Sequence, residues 1–240
     1  MQPRVALVLG GTGAVGSAVL AELARRGVAT SFTYCKSVER ARSLAAEHGQ
    51  HAFRIDLADA AATTAGLDAV AAERGVPDIL IHCAGVSAAP ALADLGVDVW
   101  REAVAVNAHS ALLACQWLAR RAPAAAPGAP VDVVFVGGLD RTQSLPLPVD
   151  FAATQGMLSA MVMALAHELG PRGFRINMMA LGMLDAGLSR SLVARRRKDY
   201  ESFSALRRLG TPAEAARAIV WLALENSYVQ GKVLAVNGGI

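Results

Sequence analysis

The chain has 240 residues, of which 54% are hydrophobic and 18% charged, with a net charge of +3. That length suits one large domain burying roughly 70–75% of its unfolded surface, and the composition excludes a disordered chain. The slight positive excess gives no field suited to a nucleic-acid partner.

Short apolar runs alternate with longer helical patterns along the chain. "VALVLG" (5–10) reads as a buried strand and "AVLAELARRG" (18–27) as a helix stopped by Gly27. "ATSFTY" (29–34) is a second strand, "VERARSLAAEHG" (38–49) a helix and "HAFRIDL" (51–57) a third strand. A helix over 61–75 leads to the strand "PDILIHCAG" (77–85), and residues 97–122 read as one long helix. "RRAPAAAPGAP" (120–130) is a low-complexity loop, followed by the strand "VDVVFVGG" (131–138). The helix 151–170 and the strand 174–182 come next, then a basic, irregular, lid-like stretch over about 183–210. Thr211 and Pro212 are N-cap and first residue of the helix 211–225, and "KVLAVNGG" (232–239) closes as a strand. Strands apolar on both faces, alternating with helices, predict a single α/β domain over residues 1–240. It is a Rossmann-type, doubly wound parallel sheet of about seven strands with helices on both faces.

Cys35, Cys83 and Cys115 are scattered and odd in number, which points away from a disulfide framework or a metal site and toward a reducing cytoplasm. The apolar N-terminus is interrupted by Gly10, Gly11, Gly13 and Gly16, so it reads as strand, loop and helix and not as a signal peptide. No other apolar stretch reaches about 18 uninterrupted residues, and no membrane span is expected.

Gly11, Gly13 and Gly16 form a GxGxxG after the first strand and at the start of the first helix. In that context glycines permit a tight turn and close approach of backbone to a pyrophosphate at the helix N-terminus. An acid at the end of the second strand would hold the ribose hydroxyl of NAD. Here Tyr34, Cys35, Lys36 and Ser37 stand there, so NADP(H) is favoured over NAD(H). Asp56 either faces an adenine or caps a helix.

These elements resemble the short-chain dehydrogenase/reductase family over nearly the whole chain, with most similarity to 3-oxoacyl-acyl-carrier-protein reductases. Leu9-Gly10 through Gly16 resembles the family's TGxxxGxG, with Ala14 at its middle glycine; "HCAG" (82–85) resembles NNAG. "VNAHSA" holds the family's structural Asn as Asn107, and "ELGPRGFRIN" and "YVQGKVLAVNGGI" resemble their counterparts. The resemblance implies a cofactor wall of Gly10, Thr12, Gly13, Ala14, Val15, Gly16, Tyr34, Cys35, Lys36, Ser37, Asp56, Leu57, Ala84, Gly85, Gln155 and Leu184.

It also implies a Ser, a Tyr 13 residues on and a Lys four after that, which fall on Gly138, Phe151 and Gln155; only Asn107 of the usual four remains. The Pro-Gly after the sixth strand is Leu181-Gly182. No tyrosine has a lysine four residues later, and Tyr200 reads as a surface aromatic of the lid-like stretch. Asp140, Thr142, Ser144 and Asp150, with His82 and His109, are the remaining candidates for proton chemistry, each with an ordinary structural role as its alternative. Two expectations follow. One is a catalytically silent partner subunit, a dimer or tetramer with itself or a homologous reductase, formed through helices over about 99–120 and 151–169. For it an acyl carrier protein is a candidate partner, meeting Arg195–Lys198 and Arg172. The other is an NADPH-dependent reductase of an activated carbonyl or enone with a different proton source.

Overall fold

The computed structural model describes residues 4–122, 130–138 and 147–240. Seven strands form one parallel sheet in the order β3-β2-β1-β4-β5-β6-β7. They are β1 (Val5–Leu9), β2 (Ala29–Tyr34), β3 (His51–Arg54), β4 (Ile79–His82), β5 (Val131–Gly137), β6 (Phe174–Leu181) and β7 (Val233–Val236). The helices are α1 (Ala14–Arg25), α2 (Val38–His48), α3 (Ala60–Arg74), α4 (Val97–Val104), α5 (Ser110–Arg121), α6 (Val149–Leu169), α7 (Ala194–Phe203) and α8 (Pro212–Leu224).

Continuous apolar strands make this arrangement stable. Ala6, Leu7, Val8 and Leu9 of β1 are fully buried, because alternate side chains enter cores on opposite faces of the sheet. Leu7 and Leu9 join α3, α5 and α6 on one face; Ala6 and Val8 join α1 and α8 on the other. The chain reverses its winding between β1 and β4, so a crevice opens at the carboxyl ends of those strands.

Three elements differ from the sequence reading. The long helix over 97–122 is interrupted by a π-turn, Ala105–His109, between α4 and α5. The segment Val149–Arg172, built on α6, has a mean hydropathy of 1.4 and is long and apolar enough to cross a membrane, though a third of its most apolar window is buried. Exposed Met157 and Met163 raise that hydropathy without belonging to the core.

The stretch 183–210 is not irregular throughout: it holds a 3-10 turn, Gly187–Ser191, and α7. Tyr200 of α7 is 1% exposed, so it is a core residue and not a surface aromatic. Its hydroxyl donates to the Asn237 carbonyl at 2.6 Å, and the Ser204 hydroxyl donates to that of Gly238 at 2.9 Å. Gly182 makes room for Tyr200, since a β-carbon there would lie 1.9 Å from the tyrosine oxygen. At α8 the expected cap is present: Thr211 and Glu214 exchange hydrogen bonds between side chain and backbone.

Arg172 and Arg195–Lys198 flank opposite ends of β6 along the chain. Arg172 precedes β6 and donates to the Ala119 carbonyl, whereas α7 follows the other end of that strand, about 25 Å along at 3.3 Å per residue.

Candidate functional site

The loop between β1 and α1 needs its glycines for space. Gly10 has φ +80°, and a β-carbon there would lie 2.7 Å from Ala84 Cα; one on Gly16 would lie 2.3 Å from the Gly10 carbonyl oxygen. Gly13 is the N-cap of α1 and has no capping side chain, so the first-turn amides are left to an external acceptor. Gly10 and Gly11 donate to the Thr33 hydroxyl and carbonyl of β2 at 3.0 and 2.9 Å, which fixes the loop against the sheet.

The β2–α2 turn brings Tyr34, Cys35, Lys36 and Ser37 beside that loop, with Lys36 and Ser37 exposed. Sequence reading missed Arg40. From α2 its guanidinium reaches back to donate to the Thr12 carbonyl at 2.9 Å and the Ser17 hydroxyl at 3.0 Å. A basic residue one helical turn past Lys36 was the available signal. Asp56 accepts from Ala58 N at 3.0 Å, closing the turn before α3, while Asp59 is the cap of that helix. Leu57 is buried in the core. Burial, followed by the nearby Asp56 carboxylate, pushes the Cys35 thiol up from its ordinary value.

A cavity of about 320 Å³ opens where the glycine loop meets the ends of β4, β5 and β6. Of the expected site residues it is lined by Gly13, Ala14, Val15, Ala84, Gly85, Gly138, Phe151, Gln155 and Leu184. Gly10, Thr12, Gly16, Tyr34, Cys35, Lys36, Ser37, Asp56, Leu57 and Asn107 lie outside its lining. The wall is mainly apolar, completed by Leu147, Leu181, Leu188 and Leu192, with Ser87 and Ser189 as hydroxyls.

Gly138, Phe151 and Gln155 meet as one interlocked set. A β-carbon on Gly138 would lie 2.5 Å from Cε1 of Phe151, so the phenyl ring occupies that space. The Gln155 Oε1 accepts from Gly138 N at 2.9 Å. A β-carbon on Gly137 would lie 2.4 Å from the same oxygen. The carboxamide is therefore folded onto the end of β5 and is 6% exposed.

Asn107, buried on the π-turn, clamps the β4–α4 loop. Its Oδ1 accepts from Val86 N at 2.8 Å, and its Nδ2 donates to Val86 O at 2.9 Å and to Thr154 Oγ1 at 3.0 Å. Asp150 holds the next part of that loop: its Oδ2 accepts from Ala88 N at 3.3 Å and from the Ser87 hydroxyl at 3.4 Å. Asp150 is 1% exposed, and its Oδ1 has no hydrogen-bond partner.

His82 is fully buried, with Nε2 at 2.7 Å from Ser110 Oγ. The Ser110 hydroxyl donates to Val106 O at 2.7 Å, so the imidazole carries its proton on Nε2 and leaves Nδ1 unpartnered. Burial holds His82 down at about 4, so it is neutral near pH 7 and has no proton to give the cavity. His109 is exposed on the π-turn. Burial raises the Cys83 and Cys115 thiols to about 12, which leaves them inert. Asp140, Thr142 and Ser144 lie outside the described residues. Among the described residues no group of three or more His, Cys, Asp or Glu side chains is placed to hold a metal.

Comparison with known proteins agrees with this architecture. Residues 11–240 match the family model described as Enoyl-(Acyl carrier protein) reductase. The chain is 30% identical to D-threitol dehydrogenase of Mycolicibacterium smegmatis, over 98% of this chain and 92% of that protein. It is 27% identical to the 3-oxoacyl-[acyl-carrier-protein] reductase MabA of Mycobacterium tuberculosis, over 99% and 92% of the two chains. A short chain dehydrogenase from Burkholderia cenocepacia, solved in complex with NADP, superposes with a TM-score of 0.89 at 29% identity, covering 99% of this chain and 98% of that one. The parallel sheet, the glycine loop and these matches together show that the chain belongs to the short-chain dehydrogenase/reductase family, with ketoreductase-like relatives.

Proposed function

We propose that this protein binds NADP(H) and is a ketoreductase-like member of its family in which Gly138, Phe151 and Gln155 have replaced the Ser, Tyr and Lys of the usual site. The carrying observation is their interlock. The phenyl ring fills the space a serine β-carbon needs, and the carboxamide oxygen is committed to Gly138 N. Neither group donates a proton, so an ordinary ketone loses the 10²–10⁴-fold contribution of a positioned acid, about 3–5 kcal/mol of barrier.

The cofactor reading rests on the fit of the glycine loop, on Lys36 and Arg40 beside it, and on the NADP in the Burkholderia structure. Gly13, Ala14 and Val15 would face the pyrophosphate, and Lys36 and Arg40 a 2′-phosphate. Gln155 would meet the nicotinamide ribose.

The cavity favours a catalytic reading: an NADPH-dependent reductase of an activated carbonyl or enone that uses a different proton source. It is preformed and bounded by the cofactor loop and Phe151. A flat, conjugated acceptor suits the apolar wall and requires less electrophilic help. A second reading is a silent subunit of an acyl-carrier-protein-linked ketoreductase. It is supported by the exposed apolar side chains Val149, Met157 and Met163 on α6 and by exposed Arg195, Arg196 and Lys198 on α7.

Calorimetric titration with NADPH and NADH separates these readings in stages. Micromolar NADPH binding with weaker NADH binding supports the cofactor assignment. Consumption of NADPH with one activated acceptor then supports the reductase. Binding of neither nucleotide sinks the cofactor assignment and leaves the subunit reading.

A further inference from the structure

Asp150 carries a cost that the fold alone does not explain. A buried carboxylate without a cation is expensive, and an orphaned oxygen on it adds to that expense. Among the described residues no Lys, Arg or His forms an ion pair with it. The charged side chains on the packed α4 and π-turn, Asp98, Arg101, Glu102 and His109, are all exposed. The α6 N-terminus offers a favourable dipole, but a dipole is a weaker partner than a cation.

The carboxylate does have one connection to the cavity. It accepts a hydrogen bond from Ser87, whose side chain stands on the cavity wall with Phe151 and Gly138. The position of that serine is fixed from both sides. Asn107 clamps Val86 by its amide and its carbonyl, and Asp150 itself holds Ala88 N. The next residue, Ala89, has φ +52°, a left-handed conformation unfavourable for a residue other than glycine. Strain of this kind persists where the surroundings enforce it, and it clusters at functional sites.

We propose that Ser87 and Asp150 form the proton-transfer pair of this cavity, with Ser87 touching the substrate oxygen and Asp150 as the proton reservoir behind it. This rests on the NADP(H)-dependent reductase reading. In reduction a bound NADPH would supply the hydride that the carbonyl carbon accepts. The C=O π pair moves onto oxygen, which takes the Ser87 hydroxyl proton, while Ser87 regains a proton from the Asp150 carboxylic acid. The carboxylate is then reprotonated from solvent. In alcohol oxidation the same bonds run in reverse: the substrate proton passes to Ser87, whose own proton passes to Asp150. Reduction needs the acid form of Asp150 and oxidation the carboxylate.

The test uses benzil, an aromatic diketone, and its reduced product benzoin, with the full chain and its Ser87→Ala, Asp150→Asn and Asp150→Glu variants. The parent should reduce benzil and oxidise benzoin. Ser87→Ala should lower kcat about 10²-fold in both directions. Asp150→Asn should lower kcat about 10-fold in both directions with KM unchanged, and Asp150→Glu should recover it, which a loop anchor alone would not do. A readout apart from turnover is benzoin affinity for the NADP⁺-loaded protein. Loss of one hydrogen bond should weaken it about 3- to 10-fold in Ser87→Ala, with NADPH affinity unchanged. Full activity and benzoin binding in Ser87→Ala overturn the proposal, as does a parent that binds NADPH and benzoin but reduces no benzil. A parent that fails to bind NADPH overturns the cofactor reading itself, and the proposal with it.

Discussion

At Gly138 the missing side chain is as informative as a present one. Restoring a serine alone would press its β-carbon to 2.5 Å from Phe151 Cε1. Gly138→Ser should therefore cost about 1–3 kcal/mol of stability, as overpacking does. Phe151→Leu, by shortening the side chain, should recover part of that cost. A double-mutant cycle in urea denaturation measures the coupling, and additive effects would show that the ring is not the obstacle. Phe151→Tyr keeps the ring, so the triple change to Ser, Tyr and Lys needs a ring shift before it can rebuild a ketone-reducing site. His82 supports a second test at this scale. Its folded value of about 4 lies below the unfolded value of 6.5. Between them the unfolded chain binds the extra proton, so stability is complete above about pH 6.5 and is lost as pH falls toward 4. The loss amounts to about 3 kcal/mol. His82→Asn should make the stability–pH slope over that interval shallower, and an unchanged slope would assign it to another group. Sequence spacing was enough to place Gly138, Phe151 and Gln155 in register. It could not reveal that they fit one another, because that depends on where a ring and a carboxamide point.

Among the elements, the strands were the most legible. Each is a short apolar run, and in a sheet covered on both faces that pattern has few alternatives. The π-turn at Ala105–His109 was not legible, because one extra residue in a helical turn leaves the apolar pattern on either side intact. Yet that turn holds Asn107 and through it the loop carrying Ser87. The α7 segment was obscured for a different reason. Its charges resemble those of a solvated loop, while the anchoring comes from its own Tyr200 and the adjoining Ser204, bonded to the distant Asn237 and Gly238 carbonyls. Tyr200→Phe should leave the Asn237 carbonyl without its 2.6 Å donor and cost about 1 kcal/mol. The effect should concentrate in α7: amide exchange over residues 194–206 should quicken while α8, held by its Thr211–Glu214 cap, stays protected. Uniform acceleration would mean that Tyr200 supports the whole domain and not α7 alone.

For the whole molecule, the open question is what covers α6. Its inner side is settled: Leu158, Val162, Ala166 and Leu169 are buried in the core. Its outer side exposes Val149 by 47%, Met157 by 40% and Met163 by 54%. A helix apolar on both sides calls for cover on both, and methionine suits an adaptable contact. A membrane is a poor match, since Asp150 and the helix's buried face are built into the sheet's core. A second protein surface matches better, whether from a copy of this chain or from a homologous reductase. The catalytic and silent-subunit readings both accommodate such an assembly, so its existence does not decide between them; its composition bears on them. Sedimentation of the purified chain should show a dimer or tetramer that Met163→Glu, placing a charge in the contact, shifts toward monomer by tenfold or more in dissociation constant, about 1.4 kcal/mol. Cavity binding of NADPH should survive that change, because Met163 lies outside the cavity lining. A parent that sediments as a monomer, yet becomes a stable complex when mixed with a homologous reductase, would move the balance to the partner-subunit reading. A stable assembly of this chain alone that consumes NADPH would leave α6 as the self-contact of an independent enzyme.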